Sequence, residues 1–337
     1  ETVYQDKKGK KFILLLGLTI AFVGLLLPIL NGMYGPKVAI EAGSMTKFYT
    51  VLIAIMFLGA GATILQVAGN PIMRDVSPEG RYSSNLSLGQ SIKAIGSSMG
   101  FLLPPAVAAA FGMDWTILFP VFFVLILGTI IWVYVTKIEE KTYSDAPSAS
   151  FSSCIKLLGN PFVLMMVLGI FLYVGAEIAM SSQVPILMKE AFGLEKFGLW
   201  VSWSLFFLPI FVGRLVGSMI LRVIPAKKFL VITVAIAMAG ILALLLGNQT
   251  MAFAGIVLVA LGFANIFPLI FSITVDAMPE RANELSGLMF TAIVCGAFVP
   301  PIAGAVADAS SVFLSFVVTL SCLVYIAWVA LMSIKKA

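Results

Sequence analysis

Three charged side chains stand inside otherwise apolar stretches of this sequence: Lys93, Glu177 and Arg214. If those stretches span a membrane, each charge costs at least about 2.5–3.5 kcal/mol at the bilayer centre, so each is expected to face protein or water and to have a function. A lysine or an arginine can bind an anion or pair with an acid, and a carboxylate can exchange a proton. The structural alternative for all three is a hydrogen bond that holds neighbouring helices together.

Three amides stand in similar surroundings: Gln66, Gln90 and Asn265. One amide supplies both a donor and an acceptor, which suits a ligand rich in hydroxyl groups. Gln90 and Lys93 are three residues apart and therefore share a helix face. Counting about 1.5 Å per residue from the polar ends puts Gln66, Gln90 and Lys93 at a similar depth near the midplane, so we expect them to line one polar cavity. Gln66 is equally suited to bridging two helices, and Asn265, close to Pro268, is expected at a helix break that faces a ligand.

The composition shows which elements must position these side chains. Of the 337 residues, 61% are hydrophobic and 11% are charged, whereas a soluble domain has about 45–50% apolar and 25% charged residues. A spanning helix needs about 20 mostly apolar residues, and ten stretches meet that test. They are residues 12–34, 47–71, 84–111, 115–136, 161–187, 197–221, 228–247, 250–275, 284–307 and 311–334.

The same composition argues against several kinds of chemistry. The chain has three cysteines without metal-ligand spacing and no histidine, so neither a zinc site nor a Cys–His site is expected. An enzyme within the membrane would need converging nucleophiles or metal ligands. We therefore predict no catalytic residue, no bound metal and no cofactor. Most of the Gly, Ser and Met residues are expected to pack helices together.

Lysine and arginine are distributed unequally between alternate loops, and membrane proteins keep the richer side in the cytoplasm. The richer side carries Lys7, Lys8, Lys10, Lys11, Arg74, Arg81, Lys137, Lys141, Lys156, Arg222, Lys227, Lys228, Arg281, Lys335 and Lys336. The other side carries Lys37, Lys47, Lys189 and Lys196. This bias predicts a cytoplasmic C-terminus and accounts for the net charge of +5 without a nucleic-acid partner.

A polar segment, Lys137–Lys156, separates the fourth predicted helix from the fifth. We predict an N-terminal helical bundle over residues 1–136, a cytoplasmic linker over 137–160 and a C-terminal bundle of six helices over 161–337. On this assignment residue 1 also lies in the cytoplasm.

The segment YQDKKGKKFILLLG (Tyr4–Gly17) resembles the cytoplasmic signature loop of the major facilitator superfamily. Gly9 permits a tight turn, and Asp6 is expected to accept a hydrogen bond from a neighbouring helix end or an arginine. GRLVGSMILRVIPAKKFL (Gly213–Leu230) resembles a degenerate second copy, as a parallel internal repeat predicts. In the family this loop joins the second and third helices, so the resemblance implies two further helices ahead of residue 1 and a fold of six plus six.

Three more stretches resemble the fucose permease branch of that superfamily, the fucose–galactose–glucose:proton symporters. They are GAGATILQVAGNP (Gly59–Pro71), FLYVGAEIAMSSQVP (Phe171–Pro185) and FPLIFSITVDAMPERANELSGLMFTAIVCGAFVPPIAGAVAD (Phe267–Asp308). The expected fold is an all-α polytopic membrane protein with the major facilitator fold, ten of whose twelve transmembrane helices are in this chain. The resemblance implies alternating access, a monosaccharide in a central cavity and proton coupling, in a monomer of the bacterial inner membrane.

Two departures from that branch leave alternatives open. Gln66 stands where the fucose permease has a carboxylate, and an amide cannot titrate. Lys93 stands where the family commonly has a neutral polar residue, so a sugar acid or another small organic anion competes with a neutral sugar as the substrate. The coupling cation is expected to be a proton, with sodium as the alternative. Glu177, Arg214 and Asp6 are the expected coupling or gating residues. A receptor or scaffold that does not transport is a further alternative.

Overall fold

The structure is a computed structural model that describes residues 9–34, 44–138, 151–194 and 201–335, and within these ranges all regular structure is helical. Helices are expected because a segment in lipid must satisfy its own backbone hydrogen bonds. The α-helices are α1 (Lys10–Leu30), α2 (Met45–Asp75), α3 (Tyr82–Phe111), α4 (Leu118–Val135), α5 (Phe151–Leu157), α6 (Pro161–Glu190), α7 (Leu208–Ile220), α8 (Ala226–Leu245), α9 (Gln249–Ala277), α10 (Ala282–Cys295), α11 (Val299–Ala309) and α12 (Val312–Lys335).

Nine helical segments of the described residues are long and apolar enough to cross a membrane. Three of them combine shorter elements: a 3-10 turn leads into α4, a π-helical turn leads into α7, and a 3-10 turn joins α10 to α11. Helix α3 bends by 44° between Gly100 and Leu102, and it makes a tenth span if both parts count as one. The all-helical architecture with nine or ten apolar spans is thereby confirmed, and the count of ten stays a prediction.

Asparagine side chains begin the two long helices α6 and α9. Asn160 accepts a hydrogen bond of 2.9 Å from the backbone N–H of Phe162 at the start of α6. Asn248 accepts one of 2.9 Å from the backbone N–H of Thr250 at the start of α9. These side chains satisfy backbone donors that have no partner within the helix.

The described residues divide into two compact units, and α3 contributes to both. The first unit contains α1, α2, α4 and the part of α3 from Gly96 onward. Its helix α1 packs against α2 and α4. Lys10 at the start of α1 forms a buried ion pair with Asp75 at the end of α2.

A second lysine at the start of α1 holds the end of α4. The ammonium of Lys11 donates hydrogen bonds of 2.9 Å to the carbonyl oxygen of Tyr134 and 2.7 Å to that of Thr136. The last carbonyls of a helix have no partner within it, and a lysine is a suitable donor for them. Lys11 therefore joins two ends that are 125 residues apart in the sequence.

The second unit contains Ser77–Ile95 and the described residues from Phe151 onward. Helix α9 packs against α6, α7 and α8 and is buried along most of its length. Glycines bring α8 and α9 into backbone contact: a Cβ added to Gly255 would lie 2.6 Å from the carbonyl oxygen of Gly240. This close packing fixes α9, which carries Asn265, against its neighbours.

Candidate functional site

An ion pair lies inside the second unit between two predicted spans. Nη2 of Arg214 on α7 is 3.5 Å from Oε1 of Glu177 on α6, with 11% and 27% of the two side chains exposed. A charge inside a membrane protein is normally paired or faces water. The pairing therefore accounts for how both charged groups are tolerated in apolar helices.

Contacts on either side of the ion pair orient α6 and α7. The hydroxyl of Tyr173, one turn before Glu177, donates a hydrogen bond of 2.9 Å to the carbonyl oxygen of Phe263 on α9. Gly213 lets α7 approach α9, because a Cβ there would lie 2.7 Å from the Cβ of Ala264. Both helices are thus fixed against α9 next to the charged groups.

The guanidinium of Arg214 also binds two backbone carbonyls. Nε donates to the carbonyl oxygen of Ala264 on α9 at 3.1 Å, and Nη1 donates to that of Gln90 on α3 at 3.3 Å. Arginine is suited to this role because its planar group presents several donors in fixed directions. One side chain on α7 therefore connects α3, α6 and α9.

Lys93 on α3 belongs to the same electrostatic environment. Its ammonium is repelled by Arg214 and attracted by Glu177, and the residue as a whole is exposed. Lys93 therefore adds a second cation to the surroundings of the ion pair. Gln90, one turn away on the same helix, is buried, with 8% of the residue exposed.

Asn265 lies within the unbroken helix α9, which continues past Pro268, so the helix break expected there is wrong. The residue is nearly inaccessible and uses both ends of its amide. Its Oδ1 accepts a hydrogen bond from the hydroxyl of Ser87 on α3. Its Nδ2 donates one of 2.8 Å to the carbonyl oxygen of Gly213 on α7. Since only 1% of the residue is exposed, a ligand can reach this amide only after Ser87 moves away, and ligand binding by Asn265 stays a prediction.

Serines on α3 continue this contact towards the start of the helix. The hydroxyl of Ser84 donates to the carbonyl oxygen of Ser218 on α7 at 2.7 Å. The hydroxyls of Ser83 and Ser272 on α9 are 2.8 Å apart. We expected the serines of this sequence to pack helices, and this specific bonding pattern was missed. The signal was the i, i+1, i+4 spacing of Ser83, Ser84 and Ser87, which puts three hydroxyls on one side of α3.

Two predicted site residues fall outside this cluster. Gln66 lies on α2 in the first unit and donates a hydrogen bond of 3.4 Å to the carbonyl oxygen of Ala62 in its own helix. A cavity shared by Gln66, Gln90 and Lys93 therefore stays a prediction. Asp6 lies outside the described residues. Within the signature segment, the pairing of Lys10 with Asp75 was missed, because sequence alone does not show which helix ends meet.

Among the described residues, no three His, Cys, Asp or Glu side chains come together as possible metal ligands. The cluster can act through its charges and through changes in the contacts between its helices. Its carboxylate can exchange a proton, and its amides and cations can bind a polar or anionic ligand.

Comparisons with known proteins identify the family of this chain. The sequence profile of the Major Facilitator Superfamily matches residues 3–301. The glucose/galactose transporter of Brucella abortus is 27% identical over 329 residues, which are 93% of this chain and 78% of that protein. The L-fucose-proton symporter of Escherichia coli is 23% identical over 309 residues, which are 80% of this chain and 68% of that protein.

A solved structure has the same fold. The crystal structure of the major facilitator transporter FucP in the outward conformation superposes with a TM-score of 0.83. The sequences are 19% identical, and the match covers 98% of this chain and 85% of the FucP chain.

Proposed function

Because this chain belongs to the major facilitator superfamily, we propose that it imports a monosaccharide by alternating access, driven by a proton gradient. Members of this superfamily are transporters and not enzymes. The names of the relatives, a glucose/galactose transporter and an L-fucose-proton symporter, support a hexose or deoxyhexose as the substrate and a proton as the coupling ion. Sodium is the second choice of ion.

The proposed architecture has twelve helices in two halves. Two helices precede residue 1, residues 1–136 complete the N-terminal half, residues 137–160 form a linker, and residues 161–337 form the C-terminal half. The linker and the C-terminus lie in the cytoplasm, and the protein is a monomer in the bacterial inner membrane. The distribution of lysine and arginine supports this orientation, and the greater length of the relatives supports the two additional helices.

The ion pair between Arg214 and Glu177 is the observation that carries the coupling proposal. Protonation of Glu177 removes the negative charge that Arg214 faces and leaves its guanidinium bound to two neutral carbonyls. The free energy of the contact between α3, α6, α7 and α9 then depends on the protonation of one side chain. Gln66 cannot play this role, because an amide does not titrate.

In the proposed mechanism, Gln66, Gln90, Lys93 and Asn265 bind the sugar, and Asp6 acts with Glu177 and Arg214 in coupling or gating. Each amide can donate to one hydroxyl and accept from another. Lys93 can only donate hydrogen bonds, to the hydroxyl oxygens of the sugar.

A sugar acid or another small organic anion is the second candidate substrate. The specific observation in its favour is that a second cation, Lys93, lies in the electrostatic field of Arg214 and Glu177. A carboxylate on the ligand could pair with this lysine within the membrane.

Transport by purified protein in liposomes tests these proposals. We expect labelled D-glucose, D-galactose or L-fucose to exchange without an ion gradient and to accumulate when the outside is made acidic. Glu177→Gln is expected to retain exchange and lose accumulation, with Glu280→Gln as the control. Accumulation driven by a sodium gradient alone would show that sodium, and not the proton, is the coupling ion. Exchange of a hexuronate but not of the neutral sugars would favour a sugar acid as the substrate. Failure to exchange any of these compounds would favour a receptor or scaffold.

A further inference from the structure

We propose that Ser83, Ser84 and Ser87 form a polar latch that closes one end of the second unit, and that the latch and the transported sugar compete for Asn265. The latch runs between the start of α3 and the ends of α7 and α9, which the proposed orientation places on the cytoplasmic side. This inference rests on the proposed function, because it assigns Asn265 a ligand only in the released state.

The competition follows from the bonds of Asn265. In the latched state Ser87 and the carbonyl of Gly213 occupy both ends of the amide. There is no room for the side chain to turn towards α7, because a Cβ on Gly217 would already lie 2.3 Å from its amide nitrogen. When Ser87 leaves, Oδ1 loses its partner and can accept a hydrogen bond from a sugar hydroxyl instead. A sugar bound to this atom therefore prevents the latch from closing.

The latch is built from groups that can separate at little cost. A serine hydroxyl within a helix has a second acceptor in the carbonyl of the preceding turn. Ser91 on α3 already bonds to the carbonyl oxygen of Ser87 at 3.1 Å, and Ser272 donates to that of Leu269 at 3.2 Å. After release, Ser87 can form the same bond within α3, and Ser83 and Ser84, in the first turn of the helix, can bond to water, so few polar groups remain unsatisfied.

Water can also reach the end of the latch. A cavity of about 470 Å³ opens beside Ser83 and is lined by Phe162, Lys227, Ile273 and Asp276, among others. Its wall is mainly apolar but includes the charged side chains of Lys227 and Asp276. Water in this cavity can solvate the hydroxyls of Ser83 and Ser272 as they part, so release can begin at this end.

A cysteine reporter tests the latch independently of transport. Ser218 is buried, with 4% of the residue exposed, and its hydroxyl bonds to its own helix, so Ser218→Cys leaves the latch bonds of α3 in place. With the three native cysteines replaced, a hydrophilic maleimide should label the reporter only in the released state. Because one hydrogen bond contributes about a fivefold change in an equilibrium, adding Ser87→Ala should raise the labelling rate about fivefold.

The matched control is Ser91→Ala. Ser91 is also fully buried on α3, but its hydroxyl bonds to its own helix, so its loss should leave the labelling rate unchanged. Equal labelling rates in the Ser87→Ala and Ser91→Ala proteins would overturn the latch. Saturating D-galactose, or whichever of the three neutral sugars exchanges, should raise labelling of the otherwise unchanged reporter protein. No change with an exchanged sugar would overturn the competition for Asn265.

A disulfide tests the mechanical consequence. Ser83→Cys/Ser272→Cys should crosslink under mild oxidation, because the two hydroxyls are 2.8 Å apart. The crosslinked protein should lose sugar exchange and recover it with a reductant, whereas each single variant should be insensitive to the oxidant. Exchange by the crosslinked protein at the rate of the reduced protein would overturn the latch. If neither the reduced double variant nor the unmodified protein exchanges any sugar, the proposed function is refuted. The maleimide labelling rates would then still show whether the latch exists.

Discussion

Replacing Arg214 with methionine removes the guanidinium and keeps most of the side-chain volume. At the 3.5 Å that separates Arg214 from Glu177, two unit charges interact by about 5 kcal/mol with an effective dielectric constant of 20. Both groups had to leave water, and 27% of the Glu177 side chain is still exposed. We therefore expect a net coupling free energy of about 1–2 kcal/mol, well below the Coulomb value.

A double-mutant cycle measures that coupling. Thermal unfolding is recorded in one detergent for the unmodified protein, Arg214→Met, Glu177→Gln and the double variant. Arg214→Met should destabilise most, because it leaves Glu177 charged without its partner and frees two carbonyls. The double variant should be more stable than the sum of the single effects predicts. The unfolding temperature changes by about 2 °C per kcal/mol for a chain of this size. The double variant should therefore unfold about 2–4 °C above the temperature that additivity predicts.

Arg222 supplies the control, because it is exposed and follows the end of α7. Arg222→Met combined with Glu177→Gln should be additive. If Arg214→Met and Glu177→Gln are also additive to within about 0.5 kcal/mol, the two groups do not interact in the folded protein. The electrostatic account of coupling then fails with them.

Other substitutions test separate parts of the structure. Gly217→Ala should unfold at a lower temperature and lose transport, because its Cβ would lie 2.3 Å from the Asn265 amide, whereas Gly304→Ala, with open space around it, should be neutral or slightly stabilising. Lys93→Ala should weaken an anionic sugar about a hundredfold if the ammonium meets its carboxylate, and Lys93→Arg should not restore binding fully. If the substrate is neutral, Lys93→Ala should uncouple sugar transport from the ion gradient and leave sugar exchange intact. If neither sugar affinity nor coupling changes, Lys93 has only a structural role. Asp75→Asn should lower the free energy of unfolding by about 2–3 kcal/mol, because it removes one charge of a buried pair, and an unchanged unfolding temperature would contradict this.

The helices were predictable because lipid imposes one strong rule on the sequence. Every backbone group in a span must be satisfied within a helix or a closed barrel, so an apolar run of sufficient length suffices to identify a span. The predicted stretches 161–187 and 250–275 correspond to α6 and α9 for that reason. Glu177 and Asn265 could therefore be placed in their helices from the sequence alone.

The partners of these side chains could not be predicted in the same way. Glu177 and Arg214 are 37 residues apart, and their pairing depends on the rotation of α6 and α7 about their axes. That rotation is set by contacts such as Tyr173 with Phe263 and Gly213 with Ala264, which no periodicity encodes. Asn265 shows the same limit, because its burial depends on a serine of α3 that is 178 residues away.

The clamp formed by Lys11 has a consequence for biosynthesis. It joins the start of α1 to carbonyls at Tyr134 and Thr136, so it cannot form until the ribosome has synthesised about 125 further residues. At about 5–20 residues per second, α1 waits roughly 6–25 s in the membrane before this contact can form, whereas Lys10 can reach Asp75 after 65 residues. During that interval the lysine must be satisfied by water or lipid headgroups, and a nascent chain arrested before Tyr134 has no means of making this contact.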